Sequence, residues 1–185
     1  MTLKKKYPGH LLTANPNNPR DELTKSVVLV VSHVENLAIG LQIDNPLEDI
    51  DLQTVARNIG IEYNKPDLLY YGGPHNNNKI HVVHSNDWQG LSTVQLNDTL
   101  SVTNDISVLA AIAADEGPEY YRACAGFWRW ENGLLDQQLD PRFRDDPHKW
   151  EICPPTLENV FSSEGPDQWR ICLDDSARYQ VSAWF

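Results

Sequence analysis

A single α+β domain is the fold that the sequence predicts, and three observations predict it. Strand-like and helix-like periodicities are interspersed, no regular βαβ alternation orders them, and no internal repeat or linker divides the chain. The 185 residues fit one domain over 1–185, and a chain of this length buries roughly 70% of the surface that it exposes when unfolded. With 41% hydrophobic residues and six tryptophans the material for a full core is present, whereas disorder needs low hydrophobicity with high net charge.

In chain order, residues 1–8 read as a loose tail. Leu11 and Leu12 make an apolar start, and the turn-rich stretch from Asn15 to Pro19 is excluded from regular structure. Val27 to Val31 is an unbroken aliphatic run that suits a strand covered on both faces. Leu37 to Ile43 pairs with it across a bend at Glu35 and Asn36. Leu52, Val55, Ala56 and Ile59 fall at helical spacing, with Asp51 as cap and Gly60 as stop. Leu68 to Tyr71 and Ile80 to His84 predict a hairpin whose wide polar loop holds Gly73, Pro74 and Asn76 to Asn78. A second hairpin joins Val94 and Leu96 to Leu100 and Val102 around Asn97 to Thr99.

Ile106, Leu109, Ala110 and Ala113 repeat the helical spacing after a cap at Asn104 or Asp105, and Gly117 and Pro118 end that helix. Tyr120 to Trp130 is an aromatic-rich strand, on which Phe127 and Arg129 would face one way and Trp128 and Trp130 the other. Short helices follow over Leu134 to Leu139, Leu157 to Phe161 and Gln168 to Leu173, with a strand over Trp150 to Cys153.

The chemistry is mostly exclusion. A formal charge of −11 opposes a polyanion, so direct nucleic-acid binding is disfavoured; the one basic run, Lys4 to Lys6, is a solvated tail. No stretch approaches the roughly 20 apolar residues of a membrane helix and no signal peptide opens the chain, so the cytoplasm is the expected compartment. Cys124, Cys153 and Cys172 form no CxxC pair and are expected as buried thiols. His81 and His84, three apart on a strand, face opposite ways and do not chelate one ion. Ser32 beside His33, and His84 beside Ser85, lack the elbow that presents a nucleophile. Gly72, Gly73 and Pro74 follow a strand without a phosphate-loop pattern, so a turn with unusual backbone angles explains them. Acidic Glu48, Asp49 and Asp51 suit a helix N-terminus; Asp145, Asp146, Asp174 and Asp175 are surface charge. No cofactor and no metal ion is expected. Trp128, Trp130 and Phe127, with the terminal Trp184 and Phe185, divide between core and contact surface, core being favoured.

The ordered landmarks resemble the bacterial AlgH/YqgE family. Gly9, Leu11, Leu12, Ala14 and Pro16 resemble its GxLLxAxP start, and Ser26 and Val27 match the beginning of its first long strand. Ala38 to Pro46 stands where the family has AMGLxINKP, Gly72 to Pro74 matches its GGP, and Val83 and His84 its hydrophobic residue plus His. Gly126, Phe127, Trp130, Gly133, Leu135 and Asp136 resemble GYxxWxxGQLExE. Trp150, Pro154, Leu157 and Phe161 fit WxxxPxxxxxxF, and Asp167 and Trp169 fit DxW. The resemblance spans residues 9–173. Asp44 and Asn45 depart from the family's Asn and basic residue, Trp128 and Arg129 from two small residues, Leu134 from Gln and Asp136 from Glu. Around Asp21 and Leu23 the pattern fits only with a shift.

The resemblance implies a mixed, bifurcated sheet curled into a pseudo-barrel with short helices around it, no agreed catalytic residues, and a link in one lineage to transcriptional regulation of alginate synthesis. The function expected is a non-enzymatic binding or regulatory protein acting through an unidentified protein partner. Its expected contact patch comprises Asp44, Asn45, Gly72, Gly73, Pro74, His84, Trp130 and Gly133. The alternative is a small-molecule or nucleotide-binding protein, or an enzyme, that uses the loop after Tyr71 with His84 as acid or base.

Overall fold

The computed structural model describes residues 7–143 and 146–184; Lys4 to Lys6, Asp145, Phe185 and most of the tail lie outside the described residues. Strands β1 (Leu11–Ala14), β2 (Val27–Val34), β3 (Leu37–Gln42) and β10 (Trp150–Cys153) form one wing of a mixed sheet, in the order β10, β1, β2, β3. The other wing holds β6 (His75–Ser85), β8 (Leu100–Thr103) and β7 (Val94–Gln95), with β4 (Pro46–Asp51) and β5 (Leu68–Tyr71) beside it. Both wings share β9 (Tyr121–Trp130).

On one edge β9 carries β6, from Tyr121 opposite His84 to Phe127 opposite His75. Its other edge is divided. Ala123 to Ala125 pair in parallel with Leu69 to Tyr71, and Trp128 to Trp130 pair antiparallel with Gly40 to Ala38. The division falls at Gly126, which adopts φ +75, and there the sheet forks and curls into a half-barrel.

The predicted hairpin between β5 and β6 is replaced by a crossing, because these strands occupy opposite edges of β9 and never pair. The chain passes from one edge to the other at Gly72 and Gly73, in contact with the β9 backbone. A Cβ on Gly72 would collide with the Gly126 carbonyl, one on Gly73 with the Phe127 carbonyl, and one on Gly126 with the Gly73 carbonyl. Gly72 N donates to Ala125 O at 2.8 Å, and Gln42 N donates to Gly72 O at 2.9 Å, which fixes the end of β3 to the same point. The expected polar loop is part of β6: the register shifts between His75 and Ile80, and Asn76 takes φ +50 within the bulge.

Helices α1 (Leu52–Asn58) and α2 (Ser107–Ala113) cover the second wing, and Leu52, Ala56, Tyr63, Leu69, Leu109 and Ile112 pack between them and the sheet. Asp51 caps α1 as expected, accepting from Thr54 N at 2.7 Å. On α2 no side chain caps the N-terminus in the usual way; Asp105 Oδ1 accepts from Ser107 N at 2.9 Å. The first wing packs under α3 (Leu134–Leu139), α4 (Leu157–Phe161) and α5 (Gly165–Ser182) through Leu11, Val28, Leu41, Trp130, Trp150 and Trp169. Beyond Gly126, Trp128 and Trp130 pack against this cluster while Arg129 between them is exposed, and Phe127 also touches the cluster. Helix α5 runs beyond Gln168 to Leu173 at both ends: Gly165 and Pro166 start it, proline being tolerated in a first turn, and it continues to Ser182. All three cysteines are buried, as expected.

Gly126→Ala combines left-handed strain with a backbone collision, so a loss of about 3 kcal/mol or more is expected. Gly60→Ala, at φ +86 but with open space around it, carries the strain alone and is expected to lose about 1–2 kcal/mol. Urea unfolding of both variants measures the difference; equal losses would mean that the crossing is not tight.

Candidate functional site

Five of the eight expected patch residues gather at the fork. Asp44 and Asn45 leave β3 there: Asp44 Oδ1 accepts from Val27 N at 2.9 Å, its carbonyl accepts from Gly165 N at 2.7 Å, and Asn45 O accepts from Tyr71 N at 2.8 Å. Gly72 and Gly73 form the buried crossing and Pro74 is exposed beside it. The other three are carried away along β9. His84 lies opposite Tyr121 at one end, while at the other Trp130 lies opposite Ala38 and Gly133 N donates to Asn36 O at 2.9 Å. Trp130 is buried edge-on against Trp150 with ring centroids 6.2 Å apart, and it is accommodated by Gly40, where a Cβ would strike it.

His84 is fully buried. Its Nδ1 donates to Ser85 O at 2.7 Å, and its ring meets Trp88 edge-on at 5.5 Å. Burial lowers its pKa, opposed by the Ser85 carbonyl and Asp87, so the imidazole is held neutral. The loop after Tyr71 meets β9 at Phe127, six residues from the partner of His84, so the two are not brought to one place. Among the described residues no three ligating side chains gather as a metal site would require.

Behind the fork lies a buried polar centre. Arg122, only 5% exposed, donates to Ile43 O at 2.5 Å, Gln168 Oε1 at 2.8 Å and Ser163 O at 3.0 Å, and stands 4.3 Å above the Tyr70 ring. Gln168 Nε2 donates onward to Asn159 O and Val160 O, and Tyr70 OH donates to Glu164 Oε2 at 2.7 Å. One guanidinium thus joins β9, the end of β3, α4 and the start of α5. Burial raises the Asp44 carboxyl to about 6, against the Val27 and Gln42 hydrogen bonds and the Arg122 charge, and burial pushes the Cys124 thiol up to about 12. The sequence expectations missed Arg122; its signal was a cation followed by the small and apolar run Ala123 to Phe127, since such a group is buried only with partners.

Beyond this centre a cleft of about 620 Å³ opens between the β1–β2 connection and α5. Its floor is Trp169, whose indole N–H donates to Ala14 O at 2.8 Å, and its walls include Asn15, Asn18, Arg20 and Lys25. Lys25 takes φ +54 and sets its ammonium 5.8 Å from the Trp169 ring centre, a cation–π contact. Thr24 Oγ1 both donates to Pro19 O at 2.7 Å and accepts from Asp21 N at 2.8 Å. Asp21 Oδ1 accepts from Leu23 N at 2.9 Å, and Oδ2 lies 3.6 Å from His148 Nδ1. Among the described residues neither Arg20 nor Lys25 has a carboxylate within ion-pair distance. Sequence reasoning identified Asn15 to Pro19 as turn but missed the cleft, because Trp169 joins it only on folding.

The Asp44 carboxyl makes stability depend on pH. Its folded pKa of about 6 lies above the ordinary 3.8, so between these values the folded chain holds a proton that the unfolded chain releases. Stability from this group is therefore greatest below the window and declines as pH rises through it, by on the order of 3 kcal/mol. Asp44→Asn keeps an oxygen for Val27 N–H and is expected to remove the decline. Denaturant unfolding at steps from pH 4 to pH 7 tests this, and parallel curves for the two proteins would assign the titration elsewhere.

Residues 11–177 match the AlgH-like family, DUF179. A UPF0301 protein of Methylococcus capsulatus is 32% identical over 167 residues, covering 89% of this chain and 88% of the relative. One from Sphingopyxis alaskensis is 28% identical over 172 residues, covering 92% and 89%. The solution structure of AlgH from Pseudomonas aeruginosa superposes with a TM-score of 0.73 at 26% identity, covering 94% of this chain and 92% of that one. The crystal structure of DIP2367 from Corynebacterium diphtheriae, at 22% identity and a TM-score of 0.70 over 91% and 86% of the two chains, shows likeness of fold alone. With residues 11–177 matching the family model and a relative 32% identical along most of both chains, the chain belongs to the AlgH-like family.

Proposed function

We propose that this protein is a non-enzymatic binding protein, acting in regulation in the cytoplasm by contact with another protein, and that the cleft beside Trp169 is the contact site. The observation that carries the reading is the contrast within that cleft. Its hydroxyl and its carboxylate are tied into the loop, while Arg20 and Lys25 stand without acid partners in a chain of net charge −11. Cations left uncompensated in an acidic protein favour an acidic segment of a partner, and the surrounding negative field disfavours the long polyanion of duplex DNA. No helix among the described residues is long and apolar enough to cross a membrane. Of the fork residues, Asp44 supports the cleft from behind, since its carbonyl holds the first residue of α5.

Affinity capture from lysate of the source organism tests this, with the intact chain compared with Arg20→Glu/Lys25→Glu and with Lys79→Glu, a charge reversal on the exposed bulge of β6. A partner retained by the intact chain and Lys79→Glu, and reduced at least tenfold by the double reversal, is expected. Retention of every captured partner by the double reversal would remove the cleft as the contact site.

A further inference from the structure

We infer that the cleft takes a phosphate monoester; this rests on the reading of the cleft as a binding site and names the chemistry that it holds. Four features of the cleft lead there. Arg20 and Lys25 together bring two positive charges with no carboxylate of the described residues within ion-pair distance, and a phosphate monoester carries about −1.5 to −2 at neutral pH, where a carboxylate carries one. A single dianion therefore matches the cleft more closely than a single Asp or Glu side chain.

The second feature is an amide donor without an acceptor. Asn18 lines the cleft with its Nδ2 buried and unbonded, and the orientation of that amide is set from the other side, because its Oδ1 accepts from Lys149 N at 2.9 Å. A buried donor left unpaired costs about 1–3 kcal/mol, so a ligand oxygen that displaces the cover over it would recover that cost. Phosphate offers three such oxygens.

Third, the other polar groups are arranged so as not to compete. The Asn15 amide N–H is spent on Glu151 Oε1 at 2.8 Å. Asp21, the acid in the lining, directs one oxygen to Leu23 N–H and the other toward His148. Fourth, the left-handed backbone at Lys25 and the indole beneath its ammonium hold that cation in place before any ligand arrives, which lowers the ordering cost of binding. The volume of about 620 Å³ far exceeds one phosphate and lies within the range of small-molecule sites, which leaves room for the group that carries the ester.

The test is a titration of ¹⁵N-labelled intact protein, at constant ionic strength, with four probes: a phosphoserine peptide, the same peptide with Glu in place of phosphoserine, adenosine monophosphate and succinate. The Trp169 indole N–H and the backbone amides of Asn18 and Lys25 report on the cleft. A saturable shift of these signals with at least one phosphate monoester is expected, at concentrations tenfold or more below those needed for the Glu peptide or succinate. Whichever of the phosphopeptide and the nucleotide binds more tightly identifies the source of the ester. Arg20→Gln/Lys25→Gln, whose exposed positions leave the core untouched, is expected to weaken binding at least tenfold, and Lys79→Gln to leave it unchanged. Absence of a saturable shift with both monoesters, or equal binding of the Glu peptide, would overturn the inference. Equal binding of the Glu peptide would still leave the acidic-partner reading standing, whereas loss of that reading would come from the capture experiment.

Discussion

The fold depends on one close passage of backbone past backbone. Where the chain leaves β5 it must reach the opposite edge of β9, and the short route lies directly across that strand at Gly126. Only residues without a Cβ fit on either side of the contact, which is why glycine stands at Gly72, Gly73 and Gly126 together. The consequences extend through the molecule. Because Gly126 turns out of the regular strand conformation, one edge of β9 serves β5 before it and β3 after it. Two wings follow from that single departure, and the packed side chains form two clusters, one of which also takes in Tyr70, Val83 and Leu100 of the second wing.

The fork also creates a difficulty that Arg122 resolves. Where β3 and β5 diverge, carbonyl groups that would meet a neighbouring strand are left without partners, and buried carbonyls need donors. The Arg122 guanidinium supplies one to Ile43 at the divergence, and it also serves the Ser163 carbonyl and, at a longer 3.4 Å, that of Phe161 at the end of α4. Its positive charge has no carboxylate in direct contact among these partners; neutral oxygens, the Tyr70 face and the nearby Asp44 share its compensation. The arrangement positions the start of α5, and through it Trp169, so the floor of the cleft is set from the middle of the sheet.

This dependence explains what the sequence disclosed and what it withheld. Val27 to Val31, the Glu35 bend and the Asp51 cap were legible because each is decided by residues a few positions apart. Strand β1 was not, since four buried residues paired on both edges show no periodicity to read. Strand β4 was hidden by its acidic, exposed residues and its leading Pro46, features of a strand that pairs at only a few points. The β5–β6 hairpin failed for a different reason. Adjacent strands usually pair, and nothing local to Gly72 announces that a strand fifty residues later will lie between them. The candidate site was illegible in the same way: Arg20 and Lys25 acquire meaning only when α5 brings the Trp169 indole up to the loop that carries them.

The same logic separates shared sequence from binding surface within the family. The glycines that resemble the family pattern are buried at the crossing, and Trp130 fills the space that Gly40 leaves, so these positions answer to packing. Trp128 is held locally as well, donating its indole N–H to Gln42 Oε1 at 3.1 Å. The Asn15 to Lys25 connection, by contrast, is a loop whose exposed side chains contribute little to either packed cluster. The fork places α5, and α5 brings the Trp169 ring under the Lys25 ammonium, so the buried crossing and the exposed cleft are parts of one arrangement.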